Sequence, residues 1–288
     1  MESLAQVITN SFVLGLNYAL LGLGFTLIFS IMGVVNIAHA DLYMLGGFIV
    51  FYLFGIFNVN YFLVLVVVLT GLACLGVVLE RFLFRRLRGQ GFAGFMILSL
   101  GLSLFIEGVA LIVFGEREKG VDSPFTGVVT IGGVTFGSER LVVMLISLAL
   151  IVALFYFLRR VKMGQAMRAL SQDAEAAYLQ GIDINRMSML AFAIGVGLAG
   201  VSGALLTPIS FVSYNIGSFL ILKCFVLVVL GGLGSIPGCV VGGLLLGFIE
   251  SFTLTYLPGA YAYLIIFGLV FLTLLVRPRG IMGIEELQ

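Results

Sequence analysis

The stretch "GFTLIFSIMGVVNIAHADLYML", residues 24 to 45, decides how the chain is read. It begins as a run that would dissolve in hydrocarbon, places Asn36, His39 and Asp41 within six positions, and then turns apolar again. His39 is the single histidine of the chain. The surrounding sequence fixes the solvent: of 288 residues 61% are apolar and 10% charged, with a mean hydropathy of +1.22. Soluble domains carry about 45–50% apolar and about 25% charged residues. The chain therefore reads as a polytopic integral membrane protein, and its polar triplet lies between two membrane-level segments.

Working outward, a spanning helix needs about 20 mostly apolar residues. Runs of that kind cover 6–30, 38–57, 60–79, 92–114, 141–158, 187–206, 218–233, 238–256 and 259–276, which predicts eight or nine spans. The fold class expected is all-α, a transmembrane helical bundle with discontinuous or re-entrant helices, organised as one membrane domain over 1–288. The first basic residue is Arg81, so the opening run lacks the basic n-region of a cleaved signal and is expected to stay in the mature protein. A net charge of +1 points to no nucleic-acid partner. Cys74, Cys224 and Cys239 lie inside apolar runs without CxxC or Cys/His spacing, so no metal set is expected and they read as small core residues.

Arginine and lysine concentrate in "RFLFRRLRG" (81–89), in the loop 159–186 and in "RPRG" after the last run, which places these segments on the cytoplasmic side. The loop 115–140 mixes both signs, and its "TIGGVTFG" reads as a small hairpin on the external side. Nine crossings would put the N-terminus outside, eight inside. Glycine is abundant, 38 residues, often at spacings of three or four within spans, a pattern that lets helix backbones approach closely in lipid. In "GGLGSIPGCVVGG", Gly231, Gly232, Gly234, Pro237, Gly238 and Gly242 combine close packing with turn formers, and a helix break is expected there.

Within loop 159–186, "QAMRALSQDAEAAYLQ" after Gly164 is rich in helix formers and sets Met167, Leu170, Ala174, Ala177 and Tyr178 on one face, with Gly181 ending the helix. Such a helix suits either a partner surface or the lipid headgroups. Asn36 is the expected N-cap of the helix that follows "GVVN", with His39 and Asp41 in its first turn, where an acidic group favours the helix dipole. Discontinuous helices at membrane depth line transport paths, but Asn36, His39 and Asp41 could equally serve the backbone alone. Other ionisable groups inside spans are Glu107, Lys223 and Glu250, and Lys223 could pair with either glutamate. Asn215, opening "NIGSFLILK", echoes the break at Asn36.

The runs "MGQAMRALSQDAEAAYLQGIDINRMSMLAFAIGVGLAGVSGALL" and "LKCFVLVVLGGLGSIPGCVVGGLLLGFIE" resemble the cytoplasmic loop and signature of branched-chain amino acid permeases of ATP-driven (ABC) importers, and "GLNYALLGLGFTLIFSIMGVVNIAHADLYMLGG", "LERFLFRRLRG" and "ILSLGLSLF" match the same family in the same order. The short N-terminus is similar to the LivH type. Gln165 stands where the family has Arg and Ala40 where it has Gly. The resemblance implies a permease subunit, not an enzyme, with no cofactor. Its implied partners are a LivM-like second permease, two cytoplasmic LivG/LivF-like ATPases and an extracytoplasmic binding protein, in the bacterial inner membrane. The implied cargo is leucine, isoleucine and valine, with urea or short amides as the alternative. It further implies a coupling helix at Arg168–Gly181, involving Gly164, Arg168, Asp173, Ala176, Ala177 and Gly181. The path-wall candidates Asn36, His39, Asp41, Asn215 and Lys223 are read from the residues themselves. No phosphate-binding loop occurs, since the dipeptide Gly-Lys is absent. A stand-alone secondary transporter or channel would have to rely on His39, Asp41, Glu107 and Glu250. An intramembrane enzyme would need a catalytic constellation that one histidine does not supply.

Overall fold

The computed structural model describes residues 4–88, 90–125, 127–131, 134–277 and 280–283. In lipid every backbone polar group must be satisfied within the chain, and the apolar runs accordingly form helices. In chain order these are α1 (Leu4–Met32), α2 (His39–Val50) with a wider π-type continuation to Ile56, α3 (Tyr61–Phe82) with a 3-10 turn at Phe84–Leu87, and α4 (Gly91–Phe114). A short antiparallel hairpin follows, β1 (Val128–Ile131) against β2 (Val134–Gly137). Then come α5 (Ser138–Arg160), α6 (Lys162–Gln172), α7 (Ala174–Leu179), α8 (Ile184–Leu206), α9 (Ile216–Gly231), α10 (Ile236–Tyr256) and α11 (Ala260–Val276). Among the described residues, seven helical stretches are long and apolar enough to cross a membrane, and Ile216–Gly231 and Leu264–Val276 are shorter apolar helices.

The core is built on α1 and α8, which are buried along most of their length, while α3, α4 and α5 present much of their surface outward through residues such as Phe62, Ile112 and Val152. Backbone approach explains the glycines. A Cβ on Gly195 would stand 2.6 Å from the Gly24 carbonyl oxygen, and one on Gly243 would stand 2.7 Å from the Ala19 backbone of α1. Asn17 Nδ2 donates to the Ser202 carbonyl (2.9 Å), and Ser202 Oγ lies 3.0 Å from Asn17 Oδ1. The pairs 24/195 and 17/202 run in opposite directions, so α1 and α8 are antiparallel.

The two ends of the bundle differ in chemistry. At one end the segment after α4 is stitched to the α8–α9 linker by paired backbone bonds between Lys119 and Val212 (2.9 and 2.8 Å), Arg140 bonds Asn10, and Tyr61 donates to the Ala204 carbonyl (3.2 Å). The start of α1 therefore lies at the same end as the loop 115–140. At the other end the Glu80 carboxylate, with no exposure, is held by Arg85 (2.6 Å) and Arg88 (2.7 Å), while Arg88 also bonds the Asn185 side chain at the start of α8. Cys224 and Cys239 are buried, whereas Cys74 lies on the outer face of α3 and is no core residue, since its helix packs through the opposite side.

The loop 159–186 differs from the single helix expected. It holds α6 and α7, divided at Asp173, whose side chain accepts from the backbone N–H groups of Glu175 and Ala176 (both 2.9 Å) and so starts a new helix instead of continuing the old one. Its apolar face is also more engaged than expected: Met167, Leu170 and Ala177 are buried, leaving Tyr178 and Leu179 exposed. Gly164 permits the fold-back, because a Cβ there would stand 2.7 Å from Leu158 Cα of α5.

Candidate functional site

Among the described residues, three interruptions that separate consecutive apolar helices carry candidate residues. At the first, Gly33 ends α1 with φ +64°, and residues 34–38 turn the chain back so that α2 starts beside the middle of α1: His39 Nε2 lies 3.2 Å from the Leu21 carbonyl, and its ring meets that of Phe25 at 5.7 Å. Asn36 does not cap α2, contrary to expectation. The residue ahead of the helix is Ala38, in helical conformation, and the Asn36 carbonyl, not its side chain, accepts from His39 N–H (3.2 Å). The Asn36 amide is 1% exposed with neither polar atom partnered. Asp41 sits in the first turn of α2, 1% exposed, and neither carboxylate oxygen has a hydrogen-bond partner. Its side chain points to Ser103 of α4 and to Gly217 of α9, where a Cβ would collide with Asp41 Oδ1.

At the second interruption, between α8 and α9, Asn215 likewise precedes its helix without capping it, and its Oδ1 accepts from the Ser213 hydroxyl (2.9 Å). The third lies between α9 and α10. Gly232 and Gly234 adopt φ +102° and +79°, conformations that suit glycine, and Ser235 caps α10 by accepting from Gly238 N–H (3.1 Å), with Pro237 in the first turn. Gly231 packs on Gly238, and Gly242 meets the Leu227 carbonyl at 2.5 Å from where its Cβ would be. The carbonyls of Leu230 and Gly231 accept from Ile281 and Met282 N–H (2.9 and 3.0 Å).

Lys223 of α9 pairs with Glu250 of α10 (2.7 Å) and not with Glu107, and it donates to the Tyr18 hydroxyl of α1 (2.9 Å). The pair is largely enclosed, with 14% and 12% of the two side chains exposed. Glu107 of α4 instead faces the Ser218 hydroxyl, at 3.5 Å from both carboxylate oxygens. Of the path candidates, Asp41 lies near Ser103, Glu107 and Ser218, with Asn215 beside them through its carbonyl, which accepts from Ser218 N–H (3.2 Å); Lys223 lies with Tyr18 and Glu250, and Asn36 and His39 lie at the break ahead of α2. A cavity of about 480 Å³ at the loop end, bounded by Asn10, Val13, Arg140, Leu206 and Ser251 among others, belongs to neither.

Of the loop residues, Arg168, Asp173 and Ala176 are exposed, Gly164 and Ala177 buried, and Gly181 ends α7 with φ +83° as Ile182 N–H bonds the Ala177 carbonyl (3.1 Å). Ser103, Ser218, Tyr18 and the Glu80 clamp were not singled out by sequence. A serine or tyrosine inside a span gives no local signal of which helix it will face.

A sequence profile of the family described as "Branched-chain amino acid transport system / permease component" matches residues 7–274. The chain belongs to this family. The permease is 32% identical to the high-affinity branched-chain amino acid transport system permease protein LivH of Escherichia coli K12, over 98% of this chain and 96% of that one. It is 31% identical to the corresponding BraD protein of Pseudomonas aeruginosa, over 98% and 97%. The LivM permease protein of Escherichia coli K12 is 27% identical, over 94% of this chain and 69% of LivM. No solved structure matches. In this multi-pass membrane protein of the family, several buried polar side chains without partners, those of Asn36, His39 and Asp41, cluster around the start of α2.

Proposed function

We propose that this chain is one permease half of an ATP-driven importer for leucine, isoleucine and valine. It works as a single membrane domain over 1–288, alternating access by rigid-body motion against a LivM-like second half. The observation that carries the reading is similarity from end to end with proteins named as branched-chain amino acid permeases, in which 98% of this chain is matched at 31–32% identity. Two cytoplasmic LivG/LivF-like ATPases supply the energy, and an extracytoplasmic binding protein delivers the cargo to the bacterial inner membrane. On this reading the α6–α7 arm docks the ATPase: Tyr178 and Leu179 are the exposed apolar contact, Arg168 and Ala176 flank them, and Gly164, Asp173, Ala177 and Gly181 set the arm's shape. The path wall includes Asn36, His39, Asp41, Asn215 and Lys223. With α1 starting at the loop end, all apolar helices crossing gives nine passes, an external N-terminus and an internal arginine end.

Reconstitution in liposomes with a LivM-like subunit, the ATPases and the binding protein tests the proposal. ATP-dependent uptake of labelled leucine in preference to urea is the expected result. Preference for urea would replace the cargo, and uptake by this chain alone on an ion gradient would overturn the importer reading.

A further inference from the structure

Asp41 is a carboxylate enclosed by helices α2, α4 and α9, with 1% exposure, and neither oxygen closes a well-formed hydrogen bond although the Ser103 hydroxyl faces it. Removing an ionised group from water without a partner is among the costliest arrangements a fold can hold. Close by on α4, Glu107 is near enough to feel its charge, and the Ser103 hydroxyl faces it. Ser218 reaches Glu107 only at the 3.5 Å limit to both oxygens, a distance at which a single hydroxyl proton satisfies neither well. No lysine or arginine forms an ion pair with Asp41 or Glu107 among the described residues, and the cation on α9, Lys223, is already committed to Glu250 and Tyr18.

The arrangement is therefore rich in acceptors and short of one cation. Its position narrows the source of that cation. Ser218 is exposed and Glu107 half-buried on the outer surface of the bundle, within helices flanked by exposed apolar residues such as Leu104 and Phe219. Ionisable groups at membrane depth face a protein interior or a water-filled cavity, not lipid. The α4–α9 face is thus turned to a hydrated path between two halves. Gly217 lets the Asp41 carboxylate pack directly against α9, since any side chain there would collide with Asp41 Oδ1.

We propose that Asp41 and Glu107, with the hydroxyls of Ser103 and Ser218, receive the primary ammonium group of the cargo as it passes, an inference that rests on the importer reading above. An alkylammonium carries one positive charge and three donors with no acceptor, matching two carboxylates and two hydroxyl oxygens. Urea also donates hydrogens, yet it brings no positive charge to offset either carboxylate, so the cluster favours amino acids over amides.

The test is leucine moved per ATP hydrolysed by the full reconstituted importer at saturating loaded binding protein. Glu107→Gln, on the accessible rim, is expected to lower this ratio by about tenfold or more, as expected for a lost charge-assisted hydrogen bond. Glu107→Asp should retain most of the transport, and Asp41→Asn should behave like Glu107→Gln, with copurification of the second permease unchanged in all three. Wild-type coupling in both Glu107→Gln and Asp41→Asn would overturn the proposal. So would loss of the second permease from purified Glu107→Gln, which would make this face a subunit contact. If the unaltered importer moves no leucine with ATP, the importer reading itself fails, an outcome distinct from the variant results.

Discussion

The interruptions at 33–38 and 232–235 use the same device, a helix stopped inside the bundle and restarted in a new direction, but they treat their polar groups in opposite ways. At 232–235 the groups are matched: Ser235 caps α10, and the Leu230 and Gly231 carbonyls take N–H groups from Ile281 and Met282. At 33–38 they are left over. Asn36 keeps both amide atoms unpartnered, His39 keeps Nδ1, and Asp41 keeps both oxygens, all at or near full burial. Buried polar groups are overwhelmingly hydrogen-bonded in folded proteins. A break needed only for shape can be completed from within, and the one at 232–235 is. The break at 33–38 leaves donors and acceptors buried without partners, which is what the proposed path wall requires.

The comparison makes graded predictions. The largest loss of stability should come where a buried charge is fully matched. Glu80→Ala strips the acceptor from Arg85 and Arg88, and because these keep 31% and 26% exposure, the cost is about 2–3 kcal/mol, below the roughly 3–5 kcal/mol of a fully buried pair. Chemical or thermal unfolding in detergent measures it; an unchanged midpoint would mean the clamp is dispensable. Next, Ser235→Ala removes the α10 cap and should cost about 1 kcal/mol by the same measurement, with transport lowered only as far as folded protein is lost. Asp173→Ala should cost about as much within the cytoplasmic arm, where α7 depends on that cap, and should lower ATPase copurification before it shifts the global midpoint. The smallest stability effect belongs to Asn36→Leu, which replaces an unpartnered amide of similar volume and should be neutral or slightly stabilising while lowering uptake. A loss of more than about 1 kcal/mol there would show that the amide has a structural partner and would dissolve the contrast between the two breaks.

Much of this architecture was legible in the sequence because lipid leaves few options. Apolar runs had to be helices, four-residue glycine spacings had to bring backbones together, and the cluster at 36–41 had to mark an interruption. The illegible parts depend on geometry that spacing does not encode. Asp173 sits amid helix formers, so composition favoured one helix, although its side chain competes for the backbone as a cap and wins. Asn36 has the identity of a cap, yet the residue ahead of α2 is Ala38, two positions later and already in helical conformation. Glu80 meets Arg85 and Arg88 at separations of five and eight, which no regular helix pairs; the 3-10 turn at Phe84–Leu87 brings them round. For Lys223, two glutamates were possible partners from sequence, and only the packing of α9 on α10 selects Glu250.

The contact of Ile281 and Met282 with the end of α9 sets an order of events. Helices α9 and α10 emerge and insert before α11, and the segment that covers the α9 carbonyls emerges only after α11. Until that last span has threaded, the seam between α9 and α10 stays open, and closing it is among the final acts of biogenesis. A chain stalled before residue 280 would carry every span and still display an unfinished joint to the quality-control machinery of its membrane.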